Sequence, residues 1–133
     1  MADRQYELGV AELDALKVLW GHGPATVRKV MTHLHEGGRR VAYTTVQTLL
    51  TRLEQKRYVT SNKSEFAYVY RAKLTRDRVT QSRLKTLVNQ LYDGAAGPLV
   101  LQLIRTEQFT AEEIETLQKL IDRLDSETER SAR

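Results

Sequence analysis

The sequence contains no cysteine and only three histidines. Without cysteine, disulfide bonds, cysteine-based zinc or iron–sulfur sites and cysteine nucleophiles are excluded. His33 and His35 are two residues apart on a predicted helix, about 200° around its axis, so they cannot bind one metal ion together. His22 lies in a glycine-rich turn, where we expect a solvated side chain. We therefore predict no metal site and no cofactor.

Long apolar runs and catalytic motifs are also missing. The most apolar stretch, residues 98–104, is much shorter than the roughly 20 residues that a membrane-spanning helix needs. Residues 1–5 lack the basic and then apolar layout of a signal peptide. The sequence has no Ser/His/Asp order and no glycine-rich phosphate loop that would suggest an enzyme. These observations predict a soluble cytoplasmic protein that is not an enzyme and does not insert into a membrane.

Positive charge is concentrated in the first half of the chain. Residues 1–74 contain 12 Lys/Arg against 7 Asp/Glu, whereas residues 75–133 contain 9 against 10. A basic half joined to a neutral half is typical of a nucleic-acid-binding domain attached to an oligomerisation module. On charge alone, a solvated basic surface explains the first half equally well. We place the domain boundary between residues 74 and 75.

The pattern of the first half predicts three helices and a hairpin. Apolar residues recur at helical spacing over 10–20, 26–36 and 42–56, with glycine-rich breaks between the first two helices and after the second. Residues 58–60 and 67–70 are then rich in β-formers, with a polar turn predicted at Ser61 to Ser64 between them. This order is that of a winged helix-turn-helix domain, in a protein that is mainly α with a small β-hairpin.

The second half is predicted to be helical and to mediate dimerisation. Thr75 caps a long helix, Pro98 suits the first position of a short apolar helix, and Thr110 opens a capping box. Three short helices carry more leucine and isoleucine than so small a unit can bury alone, which predicts a homodimer. The residues predicted to pack between two copies are Leu99, Leu101, Ile104, Ile114, Leu117, Ile121 and Leu124.

The third helix carries the most informative surface. Its leucine stripe predicts an opposite face of short hydroxyl and amide side chains, although threonine is a mediocre helix former. Such side chains allow close approach in the major groove of DNA, and arginine can bind guanine there. An ordinary solvated polar face is the alternative. The predicted DNA contacts on this helix are Thr44, Thr45, Gln47, Thr48, Thr51 and Arg52. The predicted phosphate contacts are Arg28, Arg39, Arg40, Lys56 and Lys63.

Six motifs follow one another along the chain: AELDALKVLW (11–20), GPATVRKV (23–30), AYTTVQTLLTRLEQK (42–56), AYVYR (67–71), PLVLQLI (98–104) and TAEEIETLQKLI (110–121). In this order and spacing they resemble the BlaI/MecI family of penicillinase and methicillin-resistance repressors. The resemblance implies a winged-helix dimer that occupies inverted-repeat operators in double-stranded DNA. It also implies inactivation by proteolysis under the control of a membrane sensor, and a recognition helix that includes Thr44, Thr45, Thr48 and Arg52. Copper-responsive members depend on cysteines that this chain lacks.

The chain departs from this family at three points. Family wings typically carry Gly-Arg where this chain has Glu65-Phe66, which leaves Lys63 as the obvious basic residue of the wing. Arg57 replaces a glycine after the third helix, where a left-handed cap would cost it steric strain, so we expect it to continue the helix or to contact a phosphate. The family's cleaved Asn-Phe bond corresponds to Gln102-Leu103, the possible cleavage point in this chain.

A protein–protein adaptor is the alternative function, in which the winged domain binds a protein partner in place of DNA. The basic bias of the first half and the hydroxyl-rich helix face favour DNA.

Overall fold

The computed structural model describes residues 8–64 and 66–132, apart from the side chain of Ser64. The chain forms two compact units whose boundary lies between Leu84 and Lys85, inside a helix. The elements are α1 (Val10–His22), β1 (Ala25–Thr26), α2 (Val27–Glu36), α3 (Tyr43–Gln55), β2 (Val59–Ser64), β3 (Ala67–Ala72), α4 (Arg76–Tyr92), α5 (Ala96–Thr106) and α6 (Ala111–Ala132). The predicted fold class, a mainly helical winged helix-turn-helix followed by further helices, is confirmed.

The core of the first unit lies where α1, α2 and α3 pack together and against the sheet. The helices bury side chains at spacings of three and four, which is the period of one helix face. The apolar stripes predicted for α2 and α3 are confirmed, except that Met31 is only partly buried. The fully buried large side chains are Leu16, Val30, Val46, Leu50, Leu53 and Val59. Burial of each such side chain contributes about 1.5–3 kcal/mol, so these contacts fix how the three helices are rotated.

The sheet has three antiparallel strands in the order β1-β3-β2. The short strand β1 was not predicted; Ala25 pairs with Tyr70, and Thr26, the N-cap of α2, pairs with Val69 in the extended conformation that a cap residue adopts. The predicted turn at residues 61–64 is wrong. Lys63 pairs with Tyr68, so β2 runs on to Ser64 and the hairpin is longer than expected.

Trp20 joins the end of α1 to the beginning of α4. Its indole Nε1 donates to the carbonyl oxygen of Leu74 at 2.8 Å, and the Arg76 guanidinium carbon lies 5.4 Å from the centroid of a Trp20 ring. The ring is partly buried against the core, as expected from its place on the leucine face. Thr75 caps α4 as predicted, because its Oγ1 accepts from the Arg78 backbone N–H at 3.2 Å.

The second unit, from Lys85 onward, consists of the rest of α4 with α5 and α6. The capping box is confirmed, since Thr110 and Glu113 exchange two hydrogen bonds at 2.9 and 3.1 Å. The predicted start of α5 at Pro98 is wrong by two residues; the helix begins at Ala96 and holds Pro98 in its first turn, where backbone N–H groups have no intrahelical partner. No residue of the second unit up to Ala132 is buried. Along the described ranges, no helix combines the length and apolar character needed to cross a bilayer.

Candidate nucleic-acid interface

The outward face of α3 presents all six side chains that the sequence predicts to contact DNA there. Each is exposed, whereas Val46, Leu50 and Leu53 on the other side of the helix are fully buried. The buried stripe fixes the rotation of the helix about its axis, so the polar face cannot turn inward. The exposed side chains are Thr44, Thr45, Gln47, Thr48, Thr51 and Arg52.

Two threonines on this face donate their hydroxyl hydrogens to the helix itself. Thr48 Oγ1 lies 3.0 Å from the carbonyl oxygen of Thr44, and Thr51 Oγ1 lies 2.8 Å from that of Gln47. The hydrogens are used in these bonds, but lone pairs on the oxygens remain. Thr48 is therefore arranged to accept a hydrogen bond, as from the amino group of adenine or cytosine in a major groove.

The beginning of α3 combines a positive charge with unpaired backbone N–H groups. The first N–H groups of a helix have no intrahelical partner, and the N-cap residue, Ala42, has no side-chain acceptor to cap them. Arg28 on α2 lies over Tyr43, with 5.5 Å between the guanidinium carbon and the ring centroid. A phosphate at this end of α3 would meet both the arginine and the positive end of the helix dipole.

The end of α3 is held by a left-handed residue. Arg57 has φ +68°; its N–H donates to the carbonyl oxygen of Glu54 at 3.0 Å, and the Tyr58 N–H donates to that of Leu53 at 2.9 Å. This pair of bonds is a Schellman motif, which ends the helix. The expectation that Arg57 continues the helix is wrong, because buried Tyr58 and Leu53 fix the chain reversal despite the strain.

The five predicted phosphate contacts have different surroundings. Lys56 Nζ lies 2.8 Å from both carboxylate oxygens of Glu12, and Arg39 Nε lies 2.7 Å from Asp14 Oδ2. These two cations join the loop before α3 and the end of α3 to α1. The exposed side chains among the five are Arg28, Arg40 and Lys63. Contact with DNA stays a prediction for all five.

The hairpin is fastened to α3 by polar contacts. Ser61 Oγ on β2 donates to a carboxylate oxygen of Glu54, and the phenol of Tyr70 on β3 has a polar contact with the Thr51 side chain. Burial of the phenol, and then the nearby Glu54 carboxylate, raise the pKa of Tyr70 above its ordinary value. Thr51 is thus part of the contact between helix and wing as well as of the exposed face.

The wing tip presents aromatic side chains. Phe66 is 96% exposed and Tyr68 is 53% exposed, with Lys63 directly across the ladder from Tyr68. Glu65, the other atypical wing residue, lies outside the described residues.

Among the side-chain contacts that sequence reasoning missed are an ion pair and a ring stack. The ion pair of Glu12 and Lys56 joins residues 44 positions apart, so no local pattern predicts it. A glutamate in the first turn of a helix is also readily explained as a capping residue, and Glu12 does accept from the Gly9 backbone N–H. His22, expected to be solvated, is exposed but stacks on His33 with ring centroids 3.7 Å apart. Among the side chains that the structure describes, no group of three or more His, Cys, Asp or Glu is placed to hold a metal ion.

The residues predicted for dimerisation lie on α5 and α6 of the second unit. Leu101 and Ile121 are each about half exposed, at 51% and 55%, and Leu124 is 63% exposed. Leu99 and Leu117 are partly exposed. The possible cleavage point, Gln102-Leu103, lies in the middle of α5 with both side chains exposed.

Comparison with known proteins gives relatives along nearly the whole chain. The penicillinase repressor of Staphylococcus aureus is 30% identical over 122 residues, covering 92% of this chain and 96% of the relative. The methicillin resistance regulatory protein MecI of Mammaliicoccus sciuri is 24% identical over 123 residues, covering 92% and 99%. The penicillinase repressor of Bacillus licheniformis is 25% identical over 116 residues, covering 87% and 90%.

Two solved structures are similar at lower identity. A MarR family protein from Bacillus stearothermophilus has a TM-score of 0.49 and 21% identity, covering 96% of this chain and 79% of the other. AbfR of Staphylococcus epidermidis has a TM-score of 0.46 and 15% identity, covering 97% and 77%.

The model of the family described as penicillinase repressor matches residues 8–123. The chain therefore belongs to the penicillinase repressor family, whose members are DNA-binding transcriptional repressors and not enzymes.

Proposed function

We propose that the protein represses transcription by binding a palindromic operator as a homodimer, with α3 of each copy in the major groove. The observation that carries this proposal is the exposed face of α3. It combines short hydroxyl and amide side chains with one arginine, and a buried stripe behind it fixes its direction. Side chains of this length let a helix approach base edges closely, which long charged side chains would prevent.

Within this proposal the side chains have different roles. Arg52 binds a guanine through two hydrogen bonds, while Gln47 and Thr48 read neighbouring bases. Arg28, Arg40 and Lys63 contact phosphates, with Thr44 and Thr45 near the first turn of α3. The ion pairs of Arg39 and Lys56 with α1 favour a structural role for these two cations over a phosphate contact.

The second unit supports the homodimer. None of its residues up to Ala132 is buried, although α5 and α6 together carry many large apolar side chains. Packing of two copies through these helices removes that apolar surface from water, at about 25 cal/mol per Å². A two-fold symmetric dimer then requires half-sites roughly 34–36 Å apart, or a multiple of that distance.

Proteolysis is the proposed route to relief of repression, carried out by a protease linked to a membrane sensor. Gln102-Leu103 in α5 is the candidate bond, and its cleavage would separate α6 from the rest of the chain. Because the bond lies in a helix, α5 must open locally before a protease can bind it.

The test is binding of the DNA upstream of the protein's own gene, measured across a series of salt concentrations. The proposal requires specific binding with a steep salt dependence and a footprint of two half-sites. Arg52→Ala should cost about 1–3 kcal/mol and relax specificity at one base pair, and Thr48→Ala should also weaken binding. Lys17→Ala, which removes an exposed cation from α1, is the matched control and should bind almost as the parent does.

Two results would count against the proposal. Parental affinity in both Arg52→Ala and Thr48→Ala would exclude α3 as the reader of bases. Absence of any DNA binding, with capture of a protein partner by the winged domain, would favour the adaptor function.

A further inference from the structure

The tip of the wing is an aromatic surface that the contacts described so far leave unused. Phe66, between β2 and β3, is 96% exposed, which is the largest exposure among the large apolar side chains described. Tyr68 is 53% exposed and Lys63 is exposed beside it. A tip with two accessible rings and one cation suits a partner that offers both apolar surface and negative charge.

The hairpin register directs this tip toward the α3 side of the domain. Side chains two residues apart on a strand share a face, so Lys63 shares a face with Ser61, and Tyr68 with Tyr70. Ser61 and Tyr70 both contact α3, through Glu54 and Thr51. The next cross-strand pair, Lys63 and Tyr68, therefore lies on the same side and about 7 Å farther along the hairpin.

Phe66 lies beyond this pair, roughly 10 Å from the point where the hairpin contacts α3. When the exposed face of α3 is in a major groove, a projection of this length extends across the phosphate backbone to the neighbouring minor groove. That groove is about 6 Å wide, which is too narrow for a helix but admits an inserted apolar side chain.

We propose that Phe66 acts as a wedge in the minor groove, where its ring inserts at a base step and bends the operator. This inference rests on the proposed function, because it requires α3 to bind DNA. Phenylalanine is among the apolar side chains that partly unstack base steps from the minor groove, and flexible pyrimidine–purine steps yield most easily. Lys63 contacts the flanking phosphate, and the Tyr68 ring packs against a neighbouring sugar.

The sequence of the wing favours insertion over a purely electrostatic contact. From Asn62 to Tyr70 the only charged residues are Lys63 and Glu65, so this segment carries no net charge. Lys63 is therefore the only cation in this segment that can attract phosphate, and the rest of what the tip contributes must come from its rings. This gives the wedge a distinct signature: it should change affinity and DNA shape without changing the salt dependence.

The experiment compares full-length Phe66→Ala, Phe66→Leu and Lys63→Ala with the parent on the DNA fragment upstream of the gene. Affinity is measured across a salt series, bending by energy transfer between dyes at the fragment ends, and unstacking by 2-aminopurine fluorescence at steps beneath the wing. Phe66→Ala should weaken binding about tenfold at every salt concentration, with an unchanged salt slope and a smaller bend. Phe66→Leu should keep most of the bend, because leucine is also an apolar wedge.

Lys63→Ala is the matched control from the same hairpin. It should lower the salt slope by about one unit and leave the bend and the 2-aminopurine signal in place. Both side chains are exposed, so unchanged thermal unfolding in all variants will show that the domain remains folded.

Parental affinity and bend in Phe66→Ala would overturn the wedge while leaving α3 as the reader of DNA. A change in salt slope in Phe66→Ala, with no loss of bend, would also overturn it. Failure of the parent to bind DNA would instead remove the proposed function, and the wedge with it.

Discussion

Single side chains in the first unit show how the same residue type takes different roles. Lys56 and Lys63 are both lysines near the proposed interface, and charge alone gives them the same expected contact with phosphate. Lys56, however, faces the 7% exposed Glu12 on α1, whereas Lys63 is exposed on the wing. Burial of a carboxylate without a cationic partner costs folding free energy, so the folded domain requires the Lys56 ammonium beside Glu12. Sequence position could not reveal this, because the partner comes from 44 residues away.

Replacement of Lys56 by methionine should therefore weaken folding more than DNA binding. The variant leaves the Glu12 carboxylate buried without its cation, and we expect a loss of about 2–3 kcal/mol in the free energy of unfolding. The loss should fall below the range for fully buried pairs because the Lys56 side chain is 26% exposed. Urea unfolding measures the loss, and the salt slope of DNA binding should stay close to that of the parent.

The double variant Glu12→Gln/Lys56→Met is the control, since it removes both charges. It should recover most of the lost stability, because an uncharged amide is far less costly to bury than an unpaired carboxylate. Equal stability of Lys56→Met and the parent, combined with a salt slope lower by one unit, would show that Lys56 is a phosphate contact after all.

Arg57 offers the opposite case, a residue whose replacement should stabilise the fold. Its φ of +68° is unfavourable for any residue with a Cβ, whereas glycine adopts it freely. Arg57→Gly should raise the free energy of unfolding by about 1 kcal/mol, measured by urea or thermal denaturation. Arg57→Ala removes the same charge but keeps the strain, so it should give no such gain; equal gains in both variants would mean that charge and not backbone strain is responsible.

Tyr70 should make the stability of the winged domain depend on pH at the alkaline end. Its pKa is raised above 10.0 in the folded chain, first because burial disfavours the phenolate and then because of the Glu54 carboxylate. The neutral phenol thus contributes stability that is fully present below about pH 10 and is lost as pH rises through the folded pKa. Tyr70→Phe should be about 1 kcal/mol less stable at neutral pH, through the lost polar contact between the phenol and Thr51, and the difference should shrink above pH 10.

Chemical unfolding at a series of pH values measures this difference, with Tyr68→Phe, on the same strand but half exposed, as the matched control. Parallel stability curves for Tyr70→Phe and the parent from neutral pH to beyond pH 10 would contradict the assignment.

At the scale of whole elements, the spacing of apolar residues in the sequence predicted which face of a helix is buried. The leucine stripe of α3 was enough to orient its polar face, because Val46, Leu49, Leu50 and Leu53 can be buried together in only one rotation of the helix. The caps at Thr26 and Thr110 were also predictable, since each depends on a side chain and a backbone N–H within three residues.

Elements that depend on distant partners were beyond the reach of local patterns. The two-residue strand β1 exists only because β3 lies beside it, and nothing in the sequence of Ala25 and Thr26 predicts the pairing. The extension of β2 through Asn62 and Lys63, both weak β-formers, likewise depends on cross-strand bonds to β3. The left-handed Arg57 was missed for a different reason: buried Tyr58 and Leu53, both within four residues of it, decide its backbone although a side chain is disfavoured there.

On the scale of the whole molecule, the two units differ in how far they bury their apolar side chains within one copy of the chain. The first unit closes a core around Leu16, Leu50 and Leu53, which supports independent folding of the winged domain. The second unit buries none of its residues up to Ala132 and so depends on something outside one copy of the chain. We propose that the second copy fills this need and that the dimer thereby holds two winged domains near one operator.

Truncation after Gln102 should therefore abolish both dimerisation and tight operator binding. The fragment 1–102 retains the winged domain but lacks α6 and the end of α5, including five of the seven residues proposed to join the copies. Each winged domain would then bind alone, without the effective concentration of a tethered pair, which is worth about 10²–10⁴ in avidity. Sedimentation at micromolar concentration and operator titration measure the two effects.

A second truncation, 1–125, is the matched control because it shortens α6 but keeps all seven proposed dimer residues, Leu124 included. It should remain dimeric and bind the operator nearly as the full chain does, so that loss in 1–102 reflects the removed interface and not chain length. Dimerisation and full repression by 1–102 would mean that cleavage at Gln102-Leu103 cannot release the operator. In that case, relief of repression would require a signal that acts on the winged domain itself, such as a small ligand.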